Sequence, residues 1–392
     1  MGSILIKNIL LDGQKRNVLI EGKRFRSLSA ADGAVAETVL DGSGKALLPG
    51  LYNAHTHSAM TLMRGYGDDR PLEEWLNDYI WPMESRFQTE DIRKGYQIAV
   101  REMAQTGTTF FNDMYFSVRE GIQAVAESGL RACISLVTLD GHPLAHPDQY
   151  LEFLKEWKDP TGGRIQLALA PHSIYTVRKE ELVQIARTAR EFGLKIHTHL
   201  SETRTEVENC VRDHGMRPIA YLDSLGILGP DVVVAHCVHV TPEEADILAE
   251  RQVTIVHCPC SNMKLGSGIF PYERLIQAGC RITLGTDGAS SSNNLDLREA
   301  MKFAAMLAKV GGNPQFLPAQ QVFDWATRCG AEAFGIDAGV IAEGKLADCI
   351  LVDLENVKMQ PCHNLISNFV YSADSSCIAG VICDGNIVFQ KS

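Results

Sequence analysis

The chain has 392 residues, of which 45% are hydrophobic and 22% charged, and a formal net charge of -11. This is the composition of a globular protein with a sizeable core. The acidic balance, without a block of Lys or Arg, argues against a nucleic-acid partner. The sequence has no apolar run of about 18 residues for a membrane span and no signal-peptide pattern. Because the 11 cysteines form no regular framework, we expect a cytoplasmic protein.

Short strand-like segments occupy residues 1–48 and return after residue 336, separated by turns rich in Asp and Gly. The first group predicts a small antiparallel sheet. Neither chain end has enough strands to bury a sheet face alone. Residues 1–48 and 336–392 are therefore expected to form one small β-sandwich domain.

Residues 49–335 are expected to form a second domain in which buried strands alternate with amphipathic helices such as 89–106 and 178–192. Eight strand–helix units favour a closed (β/α)8 barrel of the TIM type over an open sheet. The predicted fold class is therefore α/β. The eight predicted strands are 46–55, 108–113, 132–137, 165–170, 195–200, 232–237, 253–258 and 282–285.

Polar residues follow the carboxyl ends of these strands, where barrel enzymes build their sites. His55 and His57 end the first strand, and their i, i+2 spacing places both side chains on one face. Four other strands supply one candidate each at the same rim: His172, His199, His236 and Asp287. A single buried His is usually a core residue, but this concentration at one rim predicts a site.

The donor set predicts a hydrolytic metal centre, because a catalytic ion needs about three protein ligands and an open position. The predicted ligands are His55, His57, His199 and Asp287. His197 shares the strand of His199, but the spacing of His199 to Glu202 favours His199. Glu202 is then the predicted proton shuttle, and His236 the hydrogen-bond partner of the reacting water. One divalent ion is expected, with zinc preferred and iron, manganese or nickel as alternatives.

Several segments resemble the amidohydrolase superfamily, in particular its single-metal deaminase and chlorohydrolase branch. They are Leu-Pro-Gly-Leu-Tyr-Asn-Ala-His-Thr-His at 48–57, His-Thr-His-Leu-Ser-Glu-Thr at 197–203, Ala-His-Cys at 235–237, Gly-Thr-Asp-Gly-Ala-Ser-Ser at 285–291 and Gly-Lys-Leu-Ala-Asp at 344–348. Residues 75–84, 170–176 and 261–268 resemble the 5'-methylthioadenosine/S-adenosylhomocysteine deaminases within that branch.

This resemblance implies hydrolytic deamination of a small 6-aminopurine nucleoside to an inosine-type product. It also implies that Glu84 holds the ribose hydroxyls and that His172 contacts the substrate. Glu202 and Asp287 would contact the reacting part of the purine while moving protons. The alternatives are a guanine, cytosine or triazine deaminase, or a chlorohydrolase, on the same metal. A non-catalytic barrel protein is a remote third alternative, since no candidate ligand is missing.

One loop departs from the family pattern. Some members carry an Arg after the third strand that grips the carboxylate of adenosylhomocysteine, whereas residues 140–147 here offer only His142 and His146. A neutral His cannot form the bidentate contact of Arg. The sequence therefore predicts a preference for adenosine or methylthioadenosine. Tyr79–Phe87 is expected to be a loop that covers the pocket or meets a neighbouring subunit, with a homo-oligomer left open.

Overall fold

The protein was analysed as a computed structural model that describes residues 2–141 and 148–391. The candidate residues His142 and His146 lie outside these ranges. The described residues form two sheets of eight strands each. The strands are β1 Ser3–Leu11, β2 Gln14–Glu21, β3 Arg24–Ser27, β4 Thr38–Asp41, β5 Lys45–Pro49, β6 Leu51–Thr56, β7 Thr108–Asp113, β8 Arg131–Thr138, β9 Ile165–Pro171, β10 Lys195–Leu200, β11 Val232–His236, β12 Thr254–His257, β13 Arg281–Leu284, β14 Cys349–Asp353, β15 Ile378–Cys383 and β16 Asn386–Gln390.

Strands β6 to β13 are parallel neighbours in chain order, which confirms the predicted (β/α)8 barrel. The last strand returns to the first, where the Asp287 backbone N–H donates to the His55 carbonyl at 3.0 Å. The first predicted strand, 46–55, was wrong in one respect, because it divides at Gly50 between the two sheets. A Cβ on Gly50 would lie 2.2 Å from Thr109 Oγ1, so only glycine fits at this crossing.

The second sheet has the order β16-β15-β14-β5-β1-β2-β3, with β4 paired to β1. Its strands come from both chain ends, as predicted, and β5 joins them by pairing antiparallel with β14. The prediction of a purely antiparallel N-terminal sheet was wrong, because β4 and β5 run parallel to β1. The division into domains at residues 48 and 336 stays a prediction.

Helices pack around the barrel and cover its carboxyl end. The α-helices are α1 Leu72–Glu74, α2 Trp81–Glu84, α3 Thr89–Gln105, α4 Val118–Ser128, α5 Asp148–Glu156, α6 Lys179–Glu191, α7 Arg204–His214, α8 Pro218–Ser224, α9 Pro242–Glu250, α10 Pro259–Lys264, α11 Tyr272–Gln277, α12 Leu297–Leu307, α13 Ala319–Ala326, α14 Arg328–Ala333 and α15 Leu365–Tyr371. No helix among the described residues has the length and apolar content needed to cross a membrane.

The segment that precedes α3 is helical where a loop was expected. A π-helical stretch, Trp75–Ile80, connects α1 to α2, so residues 72–84 form one continuous helical cover. Short 3-10 turns are also present at Ser58–Met63, Val357–Met359 and Ser375–Cys377. Trp75 and Ile80 are buried and pack into the main core, which fixes this cover over the strand ends.

Candidate active site

The structure brings the predicted ligands from three strand ends to one buried point. His55 Nε2 and His57 Nε2 lie 3.3 and 3.2 Å from Asp287 Oδ1, and His199 Nε2 lies 3.2 Å from His57 Nε2. The register between β6 and β7 shifts between Asn53 and Thr56, and irregularities of this kind redirect side chains beside active sites. Asp287 and His236 have positive φ values of 64° and 75°, a conformation that non-glycine residues adopt at a cost.

The protonation of two imidazoles follows from their partners. His57 Nδ1 lies 2.6 Å from the Met114 carbonyl, and His199 Nδ1 lies 2.7 Å from the His172 carbonyl. A carbonyl only accepts, so both Nδ1 atoms must carry hydrogen. In the neutral rings the Nε2 atoms then face each other with lone pairs at 3.2 Å. This arrangement requires a cation between them, either a proton or a metal ion.

The donor set therefore fits a metal ion. Two groups of three could each hold one, His55 with His57 and His199, and His55 with His236 and Asp287. His55 Nε2 is buried and makes no hydrogen bond to any residue that the structure describes. Backbone or side-chain partners at the other ring nitrogen orient histidine ligands in metal sites. Three imidazoles and a carboxylate suit zinc and other divalent transition metals.

His197 occupies a supporting position behind His55. Its Nε2 lies 2.9 Å from His55 Nδ1, and its Nδ1 lies 3.1 Å from the Asn112 amide nitrogen. It belongs to neither group of metal-capable residues. Of the two histidines on β10, the structure thus places His199 at the shared point; its role as a ligand stays a prediction.

The carboxyl group of Glu202 lies beside His236. Glu202 Oε2 is 3.7 Å from His236 Nε2, and Glu202 Oε1 accepts a hydrogen bond from Ser267 at 3.3 Å. Burial raises the pKa of Glu202, which suits a group that gives and takes a proton. His236 Nδ1 lies 2.8 Å from Asn262 Oδ1 and donates to it, so the neutral ring presents the Nε2 lone pair to the site.

The two residues assigned by resemblance lie on the walls of the same cavity. This cavity is lined by three of the candidate ligands, His57, His199 and Asp287, and by Glu84, His172 and Tyr115. Burial raises the pKa of Glu84 to about 7, although Tyr115 and His57 oppose the shift. Burial, followed by the charges of His57 and His55, lowers the pKa of His172 to about 3. His172 is therefore a neutral hydrogen-bonding group at neutral pH.

A wider cavity of about 1010 Å³ adjoins this inner one. The two cavities share side chains that are mainly apolar: Leu72, Leu76, Trp81, Leu139 and Tyr175. A substrate can therefore extend from the histidine cluster, past an apolar neck, toward the surface.

A model of the amidohydrolase family matches residues 46–388 of the chain. The chain belongs to the amidohydrolase family. This amidohydrolase is 46% identical over 386 residues to the 5'-deoxyadenosine deaminase of Methanothermobacter thermautotrophicus, covering 96% of this chain and 90% of the relative. It is 42% identical over 406 residues to the 5-methylthioadenosine/S-adenosylhomocysteine deaminase of Moorella thermoacetica, covering 100% and 95%.

A solved structure supports the same placement. The adenosine deaminase of Xanthomonas campestris with bound zinc matches this amidohydrolase with a TM-score of 0.92 and 34% sequence identity. The match covers 98% of this chain and 92% of the other. The family resemblance drawn from the sequence motifs is thereby confirmed.

Three residues of the site were not anticipated from the sequence: Tyr115, Glu206 and Asn262. The Glu206 carboxylate accepts hydrogen bonds from the backbone N–H groups of Ser201 and Glu202 at 2.8 and 2.7 Å and so holds the end of β10. Tyr115 lies two residues after β7, so a search of strand ends for hydroxyl groups would have found it. Asn262 and Glu206 lie on helices and carry no comparable signal.

Proposed function

We propose that this amidohydrolase hydrolyses the exocyclic C–N bond of a 6-aminopurine nucleoside and releases ammonia and an inosine-type product. One observation carries the proposal: His57, His199 and Asp287 of the buried cluster line a cavity whose walls also include Glu202 and Glu84. A nucleoside would place its base at the cluster and Glu202, and its sugar at Glu84. The deaminase names of relatives over 40% identical support the same chemistry.

His55, His57, His199 and Asp287 would hold one divalent ion, for which we propose zinc. When bound, such an ion activates a water molecule as a nucleophile. The cytoplasm is the proposed compartment, because all eleven cysteines are free and a reducing environment keeps them so.

Three side chains move or hold protons in the proposed reaction. Glu202 gives a proton to the ring nitrogen next to the carbon that bears the amine. Asp287 takes the proton released by the attacking water and passes it to the departing ammonia. His236 accepts a hydrogen bond from that water through Nε2, because its Nδ1 donates to Asn262. Water supplies the oxygen of the product and two hydrogens: one replaces the proton that Glu202 gives to the ring nitrogen, and the other goes through Asp287 to ammonia, so the atoms balance.

The substrate contacts follow from the cavity walls. Glu84 accepts hydrogen bonds from the sugar, since a carboxylate can accept from two hydroxyl groups. His172 contacts the substrate as a neutral imidazole, and its ring lies 4.6 Å from that of His199. Its own Nδ1 already pairs with Thr176 at 3.0 Å, which leaves Nε2 for the ligand.

We further propose that uncharged 5' substituents are preferred over the amino-acid group of adenosylhomocysteine. Arg178 lines the wider cavity, but Asp140 lies 3.3 Å from its Nε and Glu181 lies 2.6 Å from its Nη2. A guanidinium that already has two carboxylate partners binds a third carboxylate weakly. The apolar neck between the cavities favours a methylthio or deoxy group in the same way.

A substrate panel tests both proposals on metal-replete protein. Ammonia release is measured from adenosine, 5'-deoxyadenosine, methylthioadenosine, adenosylhomocysteine, guanine, cytosine and an aminotriazine. We expect the highest kcat/KM among the first three. Equal kcat/KM on adenosylhomocysteine would remove the 5' preference alone. Turnover confined to guanine, cytosine or the triazine would overturn the proposed function in favour of the corresponding alternative.

A further inference from the structure

Two buried polar atoms on one wall of the inner cavity have no hydrogen-bond partner among the described residues. They are Glu84 Oε1 and the Tyr115 hydroxyl oxygen. Both side chains are only 3% exposed, and both line the cavity that contains His57 and His172. A buried polar group without a partner is costly, and in native proteins such groups commonly await a ligand or perform chemistry.

The Tyr115 ring is fixed by its neighbours, so its hydroxyl cannot turn to another partner at little cost. The ring packs edge-on against Tyr96 at 6.4 Å and lies 5.3 Å from the ring of Phe116. Tyr96 is itself anchored, because its hydroxyl donates to Asp113 Oδ2 at 2.6 Å. The Asp113 carboxylate also accepts from the Ser58 backbone N–H at 2.7 Å, which ties this wall to the turn after His57.

The two groups also lie close enough to affect each other electrically. Burial raises the pKa of Tyr115 well above its usual value, and the Glu84 charge and a hydrogen-bonding interaction with the Glu84 carboxyl add to the shift, although no hydrogen bond of normal geometry joins the two groups. Tyr115 therefore stays a neutral hydroxyl that can both donate and accept a hydrogen bond. Glu84, in its ionised form, only accepts. Together they offer two adjacent and chemically different contact points.

We propose that Tyr115 contacts the substrate and, with Glu84, forms a two-point site for the adjacent 2' and 3' hydroxyls of the sugar. This inference rests on the proposed nucleoside deaminase function. One hydroxyl donates to Glu84 Oε1, and the other exchanges a hydrogen bond with the Tyr115 hydroxyl. The site then distinguishes a ribonucleoside from a dideoxynucleoside at two positions, because each missing hydroxyl leaves a buried protein group unpaired.

The test compares kcat/KM for adenosine and 2',3'-dideoxyadenosine in native protein and in Tyr115→Phe. We expect the native protein to prefer adenosine and the variant to lose about fivefold of that preference, the equivalent of one neutral hydrogen bond. Calorimetric binding of inosine against 2',3'-dideoxyinosine gives the same ratio without turnover. Metal content and thermal unfolding of each variant show that it is folded and loaded.

Tyr96→Phe is the matched control. It removes a hydroxyl from the ring that packs against Tyr115, but this hydroxyl is already bound to Asp113 and does not line the cavity. Any loss of stability in Tyr96→Phe should change kcat/KM for both substrates by the same factor, so the preference for adenosine stays at the native value.

A second background separates direct contact from an action through Glu84. In Glu84→Gln protein, Tyr115→Phe should reduce the remaining preference for adenosine further. An unchanged ratio in that background would show that Tyr115 only positions Glu84, and the proposal would be overturned. An unchanged ratio in the native background would overturn it as well. Failure of native protein to release ammonia from any 6-aminopurine nucleoside would instead remove the proposed function and this inference with it.

Discussion

Two clusters of buried charge lie at opposite ends of the same barrel and differ in one respect. At the amino end, Arg131 begins β8 and forms ion pairs with Asp348, at 2.8 Å, and with Asp384. Tyr52 donates to Asp348 at 3.0 Å, and Lys23 lies 3.0 Å from Asp384. This network joins the barrel to the sheet built from the chain ends, and each of its carboxylates has a cationic partner.

The cluster at the carboxyl end is buried to the same degree but is left incomplete. His55 Nε2, Glu84 Oε1 and the Tyr115 hydroxyl make no hydrogen bond of normal geometry to the described residues, and two imidazole nitrogens face each other at 3.2 Å. Burial alone therefore does not identify a site. The difference is that one set of charged groups is mutually satisfied, whereas the other directs its lone pairs at space that a ligand can occupy.

The largest expected effect is at Glu202. Glu202→Gln keeps the size and the Ser267 contact but cannot transfer a proton, so kcat should fall by about 10²–10⁴-fold. The metal content should stay native, because Glu202 belongs to neither ligand group. His199→Ala is the contrasting variant and should lose both the metal and turnover. A Glu202→Gln protein with a near-native rate would contradict the assignment of the proton shuttle.

The network at the amino end should respond in the opposite way. Arg131→Met leaves Asp348 and Asp384 buried without their main partner and should lower the free energy of unfolding by about 3–5 kcal/mol. Turnover of the folded fraction should be unchanged, since Arg131 lies at the end of β8 remote from the site. Urea unfolding and kcat measure the two effects separately. Arg251→Met, which breaks an exposed pair with Asp223, is the control and should change little.

Sequence pattern predicted the barrel and the clustering of the candidate ligands for a common reason. Parallel strands buried on both faces read as apolar runs, and their carboxyl ends must meet at one rim. The strand-end motifs that contain His57, His199 and Asp287 can therefore be recognised from the sequence alone. Where this logic failed, the deciding contact was long-range. The chain divides at Gly50 because Thr109 approaches it. The parallel pairing of β4 with β1 joins strands that are distant in sequence, so the spacing of apolar residues within each strand could not predict it.

The residues that orient the candidate site residues could not be predicted from the sequence for the same physical reason. Nothing near Asn262 shows that its amide orients His236, and nothing near Glu206 shows that its carboxylate holds the backbone at Glu202. Such contacts join residues by orientation rather than by spacing. Glu84 and His172 were found only because a known family carries the same segments.

The smallest predicted effect concerns the free energy of unfolding, which the buried Glu84 carboxyl lowers when it is ionised. Its pKa is about 7 in the folded protein against an ordinary value of 4.5. As pH rises from about 4.5 to 7, the unfolded chain loses this proton and the folded protein keeps it, so stability falls over that window and is constant above it. Glu84→Gln does not titrate and should be more stable than native protein at pH 8, by up to about 3 kcal/mol.

The difference should shrink to about 1 kcal/mol at pH 5, where folded Glu84 keeps its proton and about a quarter of the unfolded chains still hold theirs. Urea unfolding of metal-free protein at pH 5 and 8 measures it without interference from loss of the ion in acid. Glu206, whose pKa burial also raises to about 7, titrates in both proteins and cancels. A Glu84→Gln protein that is less stable than native at pH 8 would mean that Glu84 is already satisfied internally, like Asp348, and that the contrast between the two ends of the barrel does not extend to the cavity wall that carries Glu84.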